Sequence, residues 1–331
     1  MKITALRTYR AGGSTILRVE TDESLVGYGE TGVLAPAERA LLMAKAPGRE
    51  VSAFEVLRVE LAAAPSAQAA LNMALLDLLG KKAGVPVYQV VGGATRAKIR
   101  VLASLAGDGA AQVKAGHRAL VVPVPEIPFP NPRHELVRVV MARLEQLRQS
   151  LGENVDFVLD GGGKLAPAAA ANLAAAAEKF HLLWFDEPCA LNSLAAVRKI
   201  ARENVTPLGF GRTMAKPSEV QDLFREQAID VLRLDIRQHG ISQIRRLAAL
   251  AETYYTAVAP FHDGGPIGTA AALQLAASLP NFFIQQVPAS LSADYASGLP
   301  AVQDGYLALP AGPGLGININ EAALARYQEA A

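Results

Sequence analysis

DFVLD, residues 156–160, is a short apolar segment that ends in an acidic residue, and segments of the same type recur along the chain. Each is followed by a helix-forming stretch rich in alanine and leucine, and from the third segment onward the starts lie 23 to 26 residues apart. That spacing accommodates one strand, one helix and two short loops. The eight segments are RVLASL (100–105), ALVVPV (119–124), DFVLD (156–160), LLWFDEP (182–188), PLGFG (207–211), DVLRLDI (230–236), YTAVAPF (255–261) and NFFIQQV (281–287).

Strict alternation of strand and helix predicts a parallel sheet joined by right-handed crossovers. Eight strands is the number that closes into a (β/α)8 barrel, so the sequence predicts an α/β fold of the TIM type. A doubly wound open sheet is the competing interpretation. That fold normally has a phosphate-binding glycine turn after its first strand, and SLAGDGAAQV (104–113) fits the pattern G-x-G-x-x-G poorly.

The N-terminal part of the chain has a different organisation. Its first thirty residues read as strands, among them STILRVET (14–21) and LVGYGET (25–31). A helix should begin at Pro65–Ser66 and end before Gly84, since proline favours the first helical turn and glycine the position after the last. Residues 1 to about 95 therefore form a small α+β unit ahead of the barrel.

Composition excludes several classes of function. The 331 residues carry 32 basic and 31 acidic side chains, so neither a nucleic acid nor a membrane surface is expected as a partner. No apolar run approaches the length of a membrane span, and the N-terminus lacks the apolar core of a signal peptide, which predicts a cytoplasmic protein. Cys189 is the one cysteine, so the chain can form neither an internal disulfide nor a zinc–thiolate cluster.

Polar side chains stand at the ends of six consecutive predicted strands. The active sites of (β/α)8 barrels lie at the carboxyl ends of the strands, so these side chains are candidate site residues. Any one of them alone could be a solvated strand end or a helix cap, but six on one rim favour a functional site. They are Asp160, Asp186 with Glu187, Arg212, Asp235, His262 and Gln286.

Five stretches of the chain resemble the enolase superfamily, and within it the branch of mandelate racemase and the sugar-acid dehydratases. The likeness implies a capping domain over residues 1–97, a barrel over 98–298, a segment 299–331 that returns to the capping domain, and a homo-oligomer. The stretches are ALNMALLDLLGKKAGVPVYQVVGGATR (70–96), FVLDGGGKLAPAAA (157–170), WFDEP (184–188), PFHDGGPIGTAAALQLAASLPNFFIQQ (260–286) and GPGLGININE (312–321).

The resemblance also implies a chemistry. In that family three carboxylates on the third, fourth and fifth strands hold a Mg²⁺ ion, which stabilises the enediolate formed when a base removes the α-proton of a carboxylate substrate. Asp160 matches the first ligand, and Asp186 the second, with Glu187 as a neighbouring candidate. Asp235 and His262 match an acid–histidine dyad in which the imidazole is the base and the acid fixes its tautomer.

This chain departs from the family pattern at the same site. The third ligand position is Arg212, or Gly211 if the register slips by one. Further family positions are changed: Gly162 replaces an asparagine, Val121 and Pro123 stand where relatives carry lysines, and Gln285 and Gln286 stand where a glutamate is common.

We therefore expect the guanidinium of Arg212 to bridge Asp160 and Asp186 in place of the metal, since two such acids about 4 Å apart repel by roughly 4 kcal/mol at an effective dielectric near 20. Two acids with one arginine carry a charge of −1, as three acids with Mg²⁺ do. Metal binding should then be weak or absent. The alternative is that Arg212 points outward from a surface loop.

Three functions stay open at this point. The chain is a dehydratase or racemase with His262 as base and a weak metal site, a metal-free enzyme in which Arg212 binds the substrate carboxylate, or a non-catalytic relative. The non-catalytic relative would bind only an acid ligand or a protein partner. In the first two cases the ligand is a small acid-sugar carboxylate.

Lesser candidates have simpler explanations. His239 is expected in a loop, and Cys189 has no neighbouring base that would activate it. The glycines of 161–163 and 312–316 are expected to form tight turns.

Overall fold

A computed structural model describes residues 1–126, 132–214, 218–288 and 290–327. The N-terminal domain consists of a three-stranded antiparallel sheet in the order β1-β2-β3, followed by four helices. Its elements are β1 (Ile3–Ala11), β2 (Ser14–Thr21), β3 (Val26–Thr31), α1 (Pro36–Lys45), α2 (Phe54–Glu60), α3 (Pro65–Ala83) and α4 (Val87–Val90).

Helix α3 begins and ends where the sequence predicts. Pro65 occupies the first turn, and Gly84 follows the last with φ 70°, a left-handed conformation that glycine adopts without steric cost. The helix is buried on nearly all sides because it lies between the sheet and a barrel helix: Leu71 and Leu75 belong to the core of the N-terminal domain, whereas Met73 belongs to the barrel core.

Eight parallel strands follow, and they close into a barrel. Neighbouring strands pair in sequence order, and the last pairs with the first. The seventh and eighth are joined by hydrogen bonds from Val258 N to Asn281 O and from Phe283 N to Val258 O. The strands are β4 (Lys98–Ser104), β5 (Ala119–Pro123), β6 (Asp156–Asp160), β7 (Phe185–Asp186), β8 (Leu208–Phe210), β9 (Val231–Leu232), β10 (Ala257–Val258) and β11 (Gln285–Val287).

The barrel prediction is thus confirmed, and the open-sheet alternative is wrong. Most strands are shorter than predicted, as β7 shows with two residues against the seven of LLWFDEP. A strand extends only as far as both neighbouring strands offer hydrogen-bonding partners. The apolar segments of the sequence are longer than these paired stretches.

In the part of the chain that the structure describes, seven helices surround the strands, and small apolar side chains with one tryptophan, Trp184, fill the interior. None of the helices in the described ranges is long and apolar enough to cross a membrane. They are α5 (Ala110–Lys114), α6 (Pro132–Leu151), α7 (Pro167–Ala177), α8 (Leu194–Glu203), α9 (Ser218–Arg225), α10 (Ile236–Glu252) and α11 (Pro266–Ser278).

The C-terminal segment contacts both parts of the molecule. Its elements are β12 (Ala296–Ser297), β13 (Tyr306–Ala308), β14 (Asn318–Ile319) and α12 (Glu321–Leu324). Strand β13 pairs antiparallel with the start of β4 in the barrel. Leu315 N donates to the buried carboxylate of Asp77 in α3, at 2.9 Å, and Glu321 accepts from Arg18 of β2.

Candidate functional site

Arg212 lies between two acids at the carboxyl ends of the barrel strands. Its two terminal nitrogens donate to the two oxygens of Asp160 at 2.9 and 2.5 Å, and its Nε lies 3.4 Å from Oδ2 of Asp186. The side chain is 14% exposed, so the outward-pointing alternative is wrong. Burial acts to lower the pKa of Arg212, but Asp186 and Asp160 outweigh it and raise that pKa.

Glu187 holds the loop that carries Arg212. Strand β8 ends at Phe210, and the next two backbone N–H groups, those of Gly211 and Arg212, both donate to Oε1 of Glu187 at 2.8 Å. Burial and the neighbouring Asp186 raise the pKa of Glu187, against the opposing effect of the two N–H groups. This carboxylate therefore positions the backbone after β8.

Arg233, which the sequence interpretation missed, is a second arginine inside the barrel. Its Nε donates to the two oxygens of Asp186 at 3.0 and 3.2 Å, and its terminal nitrogens donate to the oxygens of Ala259 and Gln286. Arg233 and Asp186 are both completely buried. Arg233 adds a second positive charge, which the predicted sum of −1 for Asp160, Asp186 and Arg212 did not include.

A sequence signal for Arg233 exists in DVLRLDI. Side chains two residues apart in a strand point to the same face, so Arg233 should face the interior if Asp235 does. An arginine in an otherwise apolar barrel strand then requires a buried acid as partner.

Aromatic rings pack against both guanidinium groups. The ring of Phe261 lies 5.2 Å from the guanidinium carbon of Arg212 and 5.8 Å from that of Arg233, and Trp184 lies 5.0 Å below Arg233. Arginine is less strongly hydrated than lysine and stacks on aromatic faces, which makes it suitable for this partly apolar site.

Asp235 and His262 share no hydrogen bond among the residues that the structure describes. Asp235 instead caps helix α10: its Oδ1 accepts from Arg237 N at 2.8 Å, and its Oδ2 lies 3.3 Å from the Arg237 guanidinium. His262 is completely buried, with Nε2 3.0 Å from the carbonyl oxygen of Gly265. Among the described residues the predicted contact within the dyad is therefore not formed: His262 Nδ1 has no partner, and both oxygens of Asp235 accept from Arg237.

Gln286 lies beneath the rim and connects Arg233 to the first strand. Its Oε1 accepts from Arg233, which leaves Nε2 to donate to Ser104 Oγ at 3.2 Å. Four predicted site residues, Asp160, Arg212, Asp186 and Gln286, are therefore joined through Arg233 into one chain of contacts, with Asp235 and His262 outside it.

The lesser candidates have structural roles. His239 is not in a loop but in the first turn of α10, buried, and burial lowers its pKa. The helix breaks at the next residue, Gly240, whose φ is 67°. Burial, with a contribution from Glu187, raises the pKa of Cys189 and so keeps its thiol neutral. Gly162 N donates to Asp160 in a tight turn, as predicted.

The acids are not arranged for Mg²⁺, which takes oxygen ligands in octahedral geometry near 2.1 Å. The oxygens of Asp160 and Asp186 accept from guanidinium groups, and Oε1 of Glu187 accepts two backbone N–H groups. In the described ranges, three or more His, Cys, Asp or Glu side chains nowhere gather in a cluster that could hold a metal ion. The residues present do not fit the ion in this conformation.

Comparison with known families agrees with this architecture. Residues 2–92 match the N-terminal domain of the mandelate racemase / muconate lactonizing enzyme family, and residues 89–323 match the family described as enolase C-terminal domain-like. The chain belongs to the enolase superfamily, in its mandelate racemase and muconate lactonizing enzyme branch. The resemblance stated from the sequence is confirmed.

Curated relatives and solved structures extend the comparison. The chain is 32% identical to D-galactonate dehydratase of Verminephrobacter eiseniae and 30% identical to that of Ralstonia pickettii, each over 97% of this chain and 93% of the relative. An enolase protein from Sargasso Sea environmental sequencing is 28% identical over 97% of this chain and 95% of its own, with a TM-score of 0.87. The chain is thus similar to sugar-acid dehydratases.

The similarity to one further solved structure shows only a shared fold, because the sequence identity is low. The putative galactarate dehydratase from Agrobacterium radiobacter, bound to Na and L-malate, has a TM-score of 0.90 at 24% identity, with 99% of this chain and 95% of that chain covered.

Proposed function

We propose that this chain binds a small acid-sugar carboxylate at the mouth of its barrel and does so without a divalent cation. The observation that carries the proposal is the position of Arg212, whose guanidinium contacts Asp160 and Asp186 where family members hold the metal. The similarity to D-galactonate dehydratases supports the choice of ligand class.

The charge balance favours arginine over the ion. Arg212 and Arg233 already neutralise Asp160 and Asp186. A divalent cation about 4 Å from one guanidinium would be repelled by roughly 8 kcal/mol at an effective dielectric of 20. Mg²⁺ would therefore have to displace at least one arginine, and Arg233 is completely buried.

Arg212 is the guanidinium that a ligand can reach. The Asp160–Arg212 pair is 18% and 14% exposed, whereas the Asp186–Arg233 pair is inaccessible. Asp160 uses one N–H of each terminal nitrogen, and each nitrogen carries a second. A ligand carboxylate would bind to one of these N–H groups, while Arg233 serves as the internal counter-ion.

Abstraction of the α-proton by His262 is a second candidate function. The observation in its favour is the buried ring of His262, whose Nδ1 has no hydrogen-bond partner in the described part of the chain. Asp235 would join as the acid of the dyad only if it left Arg237. A chain that binds the acid without turnover is the remaining alternative, and the homo-oligomer implied by the family stays a prediction.

Calorimetric titration with D-galactonate and galactarate tests the first proposal. Binding is expected in EDTA, unchanged by added Mg²⁺, and weakened about tenfold or more in Arg212→Met because a charge-assisted hydrogen bond is lost. Lys199→Met, on an exposed face of α8, is the control. Binding of both acids only in the presence of Mg²⁺, or micromolar binding of Mg²⁺ itself, would overturn the proposal.

Restoring a carboxylate ligand at the site should restore binding of Mg²⁺. Arg212→Glu alone leaves Arg233 on Asp186, so it should gain little Mg²⁺ affinity, whereas Arg212→Glu with Arg233→Gln should gain much more. Deuterium incorporation at the α-carbon in D₂O tests the second candidate. Exchange that His262→Asn abolishes supports it, and binding without exchange supports a non-catalytic protein.

A further inference from the structure

Glu30 is a completely buried carboxylate of the capping domain, at the end of strand β3. Ser14 Oγ, at the first residue of β2, donates to its Oε1 at 2.7 Å. Its other described partners belong to the barrel. The carboxylate therefore lies at the junction between the two parts of the molecule.

The barrel partners of Glu30 are backbone N–H groups at the start of helix α11. Gly265 N donates to Oε1, and Gly268 N donates to Oε2 at 2.8 Å. A carboxylate stabilises a helix N-terminus because it satisfies free N–H groups and interacts favourably with the helix dipole. Each oxygen of Glu30 thus holds one N–H group of the loop that follows His262.

The same loop holds the His262 ring. The carbonyl oxygen of Gly265 lies 3.0 Å from His262 Nε2 and also accepts from the backbone N and Oγ1 of Thr269, each at 3.0 Å. A Cβ atom at Gly268 would overlap the ring, so the glycine leaves the space that the imidazole fills. Gly265 therefore contacts Glu30 through its N–H group and His262 through its carbonyl.

A carbonyl oxygen can only accept a hydrogen bond, so the nitrogen that faces it carries the proton. In the neutral ring Nδ1 is then unprotonated. Nδ1 is buried and has no hydrogen-bond partner among the described residues. The basic nitrogen is thus opposite to the one expected if Asp235 accepted from Nδ1–H.

We propose that Glu30 of the capping domain, by fixing the Gly265–Gly268 turn, holds His262 as its Nε2–H tautomer and leaves Nδ1 as the basic nitrogen. Glu30 is a positioning residue in this arrangement. The catalytic meaning of the tautomer rests on the second candidate function, but the tautomer itself does not depend on turnover.

Nitrogen-15 NMR of histidine-labelled protein tests the proposal without ligand or activity. His262→Asn assigns the ring signals. The wild-type spectrum at a pH where the ring is neutral should show the Nε2–H form. A wild-type ring in the Nδ1–H form overturns the proposal, whatever any variant does.

Glu30→Gln tests the role of the carboxylate. The amide keeps one acceptor oxygen and presents an NH₂ group to the other backbone N–H, so hydrogen exchange at Gly265 or Gly268 should accelerate about tenfold or more. His262 should then populate both tautomers. A Glu30→Gln protein with the wild-type tautomer and exchange rates contradicts the proposal.

Thr31→Val is the matched control. Thr31 is the neighbour of Glu30, and its Oγ1 donates to the carbonyl oxygen of Arg237 at 2.8 Å, so it also joins the capping domain to the barrel. The variant removes that contact and leaves the α11 turn intact. It should keep the wild-type tautomer; loss of the tautomer in both variants would overturn a specific role for Glu30. If the Nε2–H tautomer is confirmed but no deuterium exchange is observed, only the second candidate function is excluded.

Discussion

At the scale of single residues, buried carboxylates have three different roles in this barrel. Asp186 is neutralised by Arg233, Glu187 accepts two backbone N–H groups, and Asp235 caps a helix. An unpaired buried charge costs several kcal/mol, so each acid needs a partner of its own. The protein meets that need with arginines and backbone N–H groups.

Glu187 should make stability depend on pH. Burial and Asp186 raise its pKa above the ordinary value of 4.5, so over the interval above 4.5 the folded protein holds a proton that the unfolded chain has released. The free energy of unfolding therefore falls as pH rises through that interval, with a slope of at most about 1.4 kcal/mol per pH unit. Glu187→Gln should lack this contribution when urea unfolding is measured across the interval.

A second glutamate gives the opposite sign and serves as a control. Burial acts against the shift, but Arg58 and Arg246 lower the pKa of Glu55. Its contribution to stability is present above 4.5 and lost as pH falls. The stability difference between wild type and Glu55→Gln should therefore grow with pH, while that for Glu187→Gln should shrink. Equal slopes in the two comparisons would contradict the role given to Glu187.

At the scale of elements, helix α3 is placed by what it contacts rather than by its propensity. Gly80 lies inside the helix, where alanine would normally be more favourable by about 1 kcal/mol. A Cβ there would lie 2.8 Å from Gly314 Cα and 2.8 Å from the carbonyl oxygen of Val85. The helix therefore needs a glycine at that point so that the C-terminal segment can pack against it.

Two glycine substitutions distinguish the cost of a steric clash from the cost of a left-handed backbone conformation. Gly84→Ala meets nothing within 4 Å and should cost about 1–2 kcal/mol for its left-handed backbone. Gly80→Ala keeps helical geometry but collides with backbone atoms, so it should cost about 3 kcal/mol or more. Urea unfolding of both variants measures which substitution lowers the free energy of unfolding more. A Gly80→Ala protein as stable as wild type would show that propensity, not packing, governs this turn.

At the scale of the whole molecule, Asp77 joins three regions of the chain. Its oxygens accept from Tyr28 N of β3 at 3.0 Å, from Leu315 N of the C-terminal segment at 2.9 Å, and from Lys81 Nζ at 2.7 Å. The carboxylate is buried. Asp77 therefore links the capping domain to the last part of the chain, in addition to contacts such as that between Arg18 and Glu321.

Removing that carboxylate should destabilise the protein in a graded way. Asp77→Ala leaves two buried N–H groups without an acceptor and should cost about 3 kcal/mol or more, while Asp77→Asn keeps one acceptor oxygen and should cost less. Urea unfolding and proteolysis of the C-terminal segment measure both effects. Asp294→Ala, which removes an exposed pair with Arg326 in the same segment, should cost under about 1 kcal/mol. Equal losses for Asp77→Ala and Asp294→Ala would exclude this role.

The sequence by itself determined the barrel, the ends of α3 and the presence of a cation among the rim acids. These features follow from hydrophobic period, from spacing and from proline and glycine at helix ends, which act within one stretch of chain. They need no knowledge of distant partners.

Only the tertiary structure decided which groups meet. Arg233 reaches Asp186 across one intervening strand, β8, Arg237 pairs with the acid expected to serve His262, and Glu30 approaches the His262 loop from another domain. A buried charge is satisfied by whichever opposite charge or N–H group lies nearest in space. The spacing of residues along the sequence does not give the distance between such groups in the folded protein.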